Sequence, residues 1–120
     1  MAEPLCMFVV VRKDLVKSLG WPLGSIITQA CHASTAALWT YREDPRTQEY
    51  VSNLDGMHKV VLETKNLNGL NTVQEKLKDL NIPYKEWLEQ PENIVTCLAT
   101  VPVRKSEVKD VFKKCQLWKS

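Results

Sequence analysis

Apolar and polar positions alternate in runs that divide the chain into short elements. Leu5 to Arg12 is an almost unbroken apolar run rich in valine, the pattern of a central strand covered on both faces. A polar, basic connection follows from Lys13 to Gly20. The stretch Trp21 to Tyr41, WPLGSIITQACHASTAALWTY, reads as a long helix ending near Arg42. At about 100° per residue, Ile26, Ile27, Ala30, Ala33, Ser34, Ala37, Leu38 and Tyr41 share a broad face that would press on a sheet. Ser25, Gln29, His32 and Ala36 fall on another side, a polar arc beside small residues where something can dock. Ser25 is placed to cap this helix, and Gly24 to allow close backbone approach.

Glu43-Asp44-Pro45 stops one helix and starts the next, with Asp44 as cap and proline in the first turn. This second helix should run through Leu54 and bury Tyr50, Val51 and Leu54. Asp55-Gly56 turns the chain into a strand at Lys59 to Thr64. Leu67, Leu70, Val73, Leu77 and Leu80 then mark an amphipathic helix that Asn81 ends. Tyr84 to Leu88 and Ile94 to Val101 read as strands, and the short turn from Glu89 to Asn93 makes them antiparallel neighbours. From Ser106, the positions Val108, Val111, Phe112 and Cys115 predict a closing helix. Four strands interleaved with helices give an α/β fold, a three-layer α/β/α arrangement around a four-stranded mixed sheet. With no repeat, linker or low-complexity tract, residues 1–120 form a single domain.

Composition narrows the class. At 120 residues, 44% hydrophobic and 25% charged, the chain is a globular domain able to bury roughly two-thirds of its unfolded surface. The net charge of +2 does not by itself argue for nucleic acid, but its placement is uneven. Arg12, Lys13 and Lys17 precede the long helix, while Arg104, Lys105, Lys109, Lys113, Lys114 and Lys119 crowd the C-terminus. Cys6, Cys31, Cys97 and Cys115 show neither a CxxC pair nor a metal-ligand spacing, and read as reduced thiols of an intracellular protein. The N-terminal apolar run is too short for a membrane span, and an acidic residue precedes it where a secretory signal would be basic. A cytoplasmic location without membrane association is the expectation.

Chemistry is concentrated in few places. Ser25 suits an N-cap, and a helix N-terminus after a glycine also suits a phosphate. Gln29 can donate and accept. One turn on, His32 carries an imidazole, which serves as donor, acceptor or base, or as a satisfied structural histidine. Cys31 and His32 point about 100° apart, which argues against their acting as a catalytic pair. Glu86, Glu89 and Glu92 gather at the hairpin, where a carboxylate can orient or deprotonate water or remain solvated. Trp21, Trp39, Trp87 and Trp118 are available for base stacking or for packing.

The strand VVVRKDL, the helix opening GSIITQACHAS, the strand KVVLET and the strand TCLATVP, in this order, resemble the type 2 peptidyl-tRNA hydrolase family. The phrase WLEQPENI is similar to a divergent eukaryotic subgroup of that family. The resemblance implies the same four-stranded fold and hydrolysis of the ester joining a peptide to the terminal ribose of tRNA, with no cofactor and no metal. It implies catalytic roles for Gln29, His32, Glu89 and Thr96, and substrate-side roles for Asp14, Lys17, Gly24 and Ser25. Ser25 stands where the family carries a lysine, and the hairpin at Glu89 is shorter than the family's. The resemblance therefore supports two expectations: a hydrolase acting on peptidyl-tRNA, or a degraded member that binds tRNA, another RNA or a protein. Relatives of this fold make a homodimer plausible.

Overall fold

The computed structural model describes residues 3–119; Met1, Ala2 and Ser120 lie outside it. Strand β1 spans Leu5–Arg12, followed by a one-turn helix α1 (Asp14–Lys17) and the long helix α2 (Leu23–Thr40). Helix α3 (Pro45–Val51), strand β2 (Lys59–Thr64) and helix α4 (Leu67–Asp79) come next. Strands β3 (Tyr84–Glu89) and β4 (Ile94–Thr100) form the expected hairpin, and the two-residue strands β5 (Val103–Arg104) and β6 (Gln116–Leu117) complete the sheet. Its order is β3-β4-β1-β2-β6, with β5 also on β1. The four expected strands are its body, and β5 and β6 are short additions.

The alternating pleat of β1 explains the layers. Cys6, Phe8 and Val10 face a core closed by Leu70, Val73 and Leu77 of α4. Leu5, Met7, Val9 and Val11 face the opposite core, closed by Ile26, Ala33 and Ala37 of α2 and by Tyr50 of α3. A strand with side chains buried on both faces must be apolar throughout, and β1 is. Because β1 and β2 are parallel while β4 runs antiparallel to β1, one end of the sheet collects Arg12, Thr64, the start of β4 and the end of β3. The first turns of α2 and α4 open at this same end, the place where open α/β sheets hold ligands.

Caps follow local chemistry. The Asp44 side chain accepts from the Arg46 amide at 2.9 Å and opens α3. Asn66 does the same for α4, accepting from Gly69 at 3.0 Å. Gly69 also permits close approach, since a Cβ there would collide with Thr64 Oγ1. After α4, Asn81 takes a left-handed conformation (φ 56°) and Ile82 donates to Leu77 O, closing the helix.

Several expectations need correction. Helix α2 begins at Leu23 with Pro22 as its N-cap, so Ser25 lies inside the first turn and makes no cap. Proline's fixed φ sets the start before any side chain is needed. Helix α3 ends at Val51; Val51 and Leu54 are exposed, and only Tyr50 of the three expected residues is buried. On α2, Ile27 is exposed at 56% while Gln29 is buried at 1%, the reverse of the expected division. The closing helix is instead a 3-10 turn at Lys105–Val108 followed by further turns. Val108 and Val111 do reach the core, and Phe112 stacks on Phe8 with ring centroids 4.8 Å apart. The chain must then extend to pair β6 with β2, which a continuous helix would prevent. Among the described residues no helix is long and apolar enough to cross a membrane. Cys6 and Cys97 are buried, Cys115 is half-buried and Cys31 is exposed; all four are free thiols.

Candidate functional site

Helix α2 is flanked by two depressions. The larger, about 790 Å³, lies toward β2 and β6 and is mostly apolar, with Leu23, Ile27, Val61 and Leu117 in its lining. The smaller, about 240 Å³, lies toward the β3–β4 hairpin and is lined by Trp21, Pro22, Ser25, Thr28, Gln29, Glu89 and Glu92. Size favours the first and chemistry the second, because convergent polar groups rather than volume carry out reactions.

Gln29 sits at the bottom of the smaller depression, where the hairpin covers the helix side that a helical wheel reads as polar. Thr96, fully buried on β4, donates its hydroxyl to Gln29 Oε1 at 2.9 Å. That bond fixes which end of the amide is oxygen and turns the NH₂ group outward. Cys97 Sγ donates to the Gln29 backbone carbonyl at 3.3 Å, and burial pushes the Cys97 thiol up to about 12, so it stays protonated.

Trp87 and Glu89 are two residues apart on β3 and so project from one face. The Trp87 indole N–H donates to Glu89 Oε1 at 3.0 Å. This bond, then the Gln29 amide, hold the Glu89 carboxyl below its ordinary value against a small opposing effect of burial, with His32 adding to the lowering. His32, one turn along α2 from Gln29, stacks on Trp87 with centroids 4.6 Å apart and planes 21° from parallel. Thr96, Gln29, Glu89, Trp87 and His32 thus form one connected group spanning α2, β3 and β4. Sequence reasoning left Trp87 as a generic aromatic, although its i, i+2 relation to Glu89 was the signal that ties it in.

Ser25 and Thr28 supply hydroxyls to the same depression. The Thr28 hydroxyl is spent on Gly24 O at 2.9 Å, which leaves Ser25 as the free donor. Gly24 lies beside this rim with open space where a Cβ would stand, so its lack of a side chain relieves no contact within the chain. Asp14 and Lys17 are not brought here. Asp14 is bound through both oxygens by Arg12, at 3.0 and 2.9 Å, and Arg12 also donates to Val95 O at 2.8 Å. Both Asp14 and Lys17 line a separate depression over the ends of β1 and β2.

The other flagged residues have structural roles or stand apart. Glu86 accepts from Gln74 at 2.8 Å. Trp39 is exposed under Arg42, and Trp118 lies beneath the Lys13 ammonium, 3.9 Å from the ring centre. Among the described residues no three His, Cys, Asp or Glu side chains gather to hold a metal ion.

Comparison with known proteins identifies the family of the chain. The human protein named "Putative peptidyl-tRNA hydrolase PTRHD1" is 47% identical over 121 residues, covering 98% of this chain and 86% of its own length. The mouse protein of the same name is 46% identical over 116 residues, covering 96% and 83%. The family model described as "Peptidyl-tRNA hydrolase PTH2" matches residues 5–118. Nearly the whole fold is included in that match, and the chain belongs to the PTH2 peptidyl-tRNA hydrolase family.

Proposed function

We propose that this protein hydrolyses the ester between a peptide and the terminal ribose of tRNA, in the depression between α2 and the β3–β4 hairpin. The observation that supports this best is Glu89, kept ionised by Trp87 and Gln29 at the rim of the depression. In this reading the free lone pairs of Glu89 orient a water toward the ester carbonyl and receive its proton as attack proceeds. A carboxylate with a lowered pKa is a weak base, so orientation is the larger part of its contribution. Ser25 donates to the oxygen that becomes negative. The ribose oxygen leaves with a proton from His32, which stands against Trp87 beside Glu89. Gln29 and Thr96 are positioning residues, since burial keeps them from broad contact with substrate.

A second reading, a binder of tRNA without turnover, is favoured by one observation: the lining of the depression contains no lysine or arginine to stabilise an oxyanion. Incubating purified protein with peptidyl-tRNA separates the two. Multiple turnovers that fall at least tenfold in Glu89→Gln and His32→Ala support the hydrolase with this site. Turnover indifferent to both changes rejects the site, and absence of turnover at any enzyme concentration selects the binder.

A further inference from the structure

The depression at Glu89 suits the uncharged ester but opposes the phosphates of the substrate it is proposed to serve. Its ionisable lining is Glu89 and Glu92, and a tRNA brings a chain of phosphates. The anionic backbone must therefore be anchored elsewhere on the protein.

Over the ends of β1 and β2 lies the separate depression, about 670 Å³, whose lining includes Lys13, Lys17, Lys65, Lys113 and Lys114 against only Asp14 and Glu63. Both carboxylates are already neutralised within the fold. Asp14 is paired with Arg12 at 2.9 Å, and Glu63 with Lys13 at 3.1 Å. Lys13 is itself committed, with its ammonium also on the Trp118 ring and on Lys119 O. Lys17, Lys65, Lys113 and Lys114 remain. Among the described residues only Lys113 of these meets a carboxylate, Asp110 at 3.2 Å, in an exposed pair worth little. These four charges exceed the net +2 of the whole chain, so the rest of the surface is net negative.

Three elements deliver the group. Lys17 closes α1, and Lys65 immediately precedes the N-cap of α4, whose first turn adds partial positive charge. Lys113 and Lys114 arrive on the C-terminal segment, which Glu63 holds through Gln116 at 2.6 Å and the Lys119 amide at 3.1 Å. Both depressions open at the same end of the sheet. At roughly 4.8 Å per strand they stand on the order of 10–15 Å apart, the length of three or four stacked nucleotides at roughly 3.4 Å rise.

We propose that Lys17, Lys65, Lys113 and Lys114 form the phosphate-binding footprint of this protein, holding the backbone of the RNA whose acylated end lies at Glu89. The assignment rests on the tRNA-ester reading of the neighbouring site.

Binding of deacylated tRNA, followed by fluorescence anisotropy across a salt series, tests it without requiring turnover. In Lys17→Ala/Lys65→Ala/Lys114→Ala the slope of log K against log salt becomes shallower by about 2 to 3, at roughly 0.7–0.9 per lost phosphate contact. The control Lys59→Ala/Lys78→Ala/Lys105→Ala removes equal charge from the other end of the sheet and keeps the parental slope. Circular dichroism confirms folding; should the triple variant not fold, each single substitution must lower the slope by about 0.7–0.9. An unchanged slope, equal losses in both triple variants, or no tRNA binding by the parental protein overturns the footprint. Lysine-dependent binding without peptide release leaves the footprint standing and rejects the hydrolase, whereas turnover with a lysine-independent slope does the reverse.

Discussion

Thr96→Val is a demanding test of the proposed site because it changes one buried atom and almost no volume. Valine keeps the shape of threonine but removes the hydroxyl that donates to Gln29 Oε1 at 2.9 Å. Gln29 is 1% exposed, so its carbonyl oxygen would be left buried without that partner. An orphaned buried acceptor costs roughly 1–3 kcal/mol. For a domain of this size that lowers the melting temperature by about 4–12 °C. The functional effect is separate. With the amide free to turn over, its oxygen can face the Glu89 carboxylate, and the lowering that Gln29 exerts on Glu89 is lost. The acid limb of the rate profile then moves toward higher pH, and turnover at neutral pH falls about tenfold, equivalent to about 1.4 kcal/mol of barrier. Thr96→Ser retains the hydroxyl and restores both properties. Melting curves and pH–rate profiles on peptidyl-tRNA provide the measurements. Parental melting, rate and acid limb in Thr96→Val would refute the claim that Thr96 orients Gln29.

Two further outcomes follow from other contacts. Trp87→Phe preserves an aromatic ring against His32 but removes the N–H that is the largest influence lowering Glu89. Its carboxyl should rise toward the ordinary 4.5, so activity that requires the ionised form is lost at a higher pH as acid is added; an unmoved acid limb contradicts this. Glu63→Gln leaves the Lys13 ammonium without its carboxylate in a nearly buried site, costing roughly 3 kcal/mol by urea unfolding, and a loss under about 1 kcal/mol would dismiss the pair as an anchor. Burial acts to raise Glu63, but bonds from Gln116, the Lys119 amide and Lys13 together hold it below 4.5. Its contribution to stability is thus complete above pH 4.5 and disappears as pH falls through the lowered value, a difference that Glu63→Gln should abolish in acid melts.

The elements legible in the sequence were those whose neighbours are dictated by a strong period. The unbroken apolar run of β1 requires cover on two faces, and the Leu70-Val73-Leu77 stripe requires one sheet; both found them. Gln29 was misplaced on the polar side of α2 because a helical wheel contains no information about the hairpin that arrives sixty residues later and buries it. The same event brought Glu89 and Trp87 to His32, so the site's membership was partly readable while its geometry was not. Val108, Val111 and Phe112 were correctly apolar and wrongly helical. Contacts outside the segment decide its shape: Glu107 is drawn to Arg46 at 2.5 Å, and Gln116 to Glu63. Lys17, expected on the substrate side of the Gln29 site, instead lines a separate depression with Lys65, Lys113 and Lys114, which are far apart in sequence and meet only through the topology of the sheet.

The two-residue strand β6 governs how this protein behaves in concentrated solution. Gln116 and Leu117 cover Glu63 and Leu62, and the Trp118 amide donates to Val61 O at 3.0 Å, closing the outer edge of β2. Severing the chain after Cys115 would uncover an extended KVVLET edge with unpaired backbone donors and acceptors, a template on which another molecule can add a strand. Residues 116–118 therefore stand between a closed sheet edge and edge-to-edge aggregation, with Lys59 and Glu63 as the charged residues of the uncovered strand.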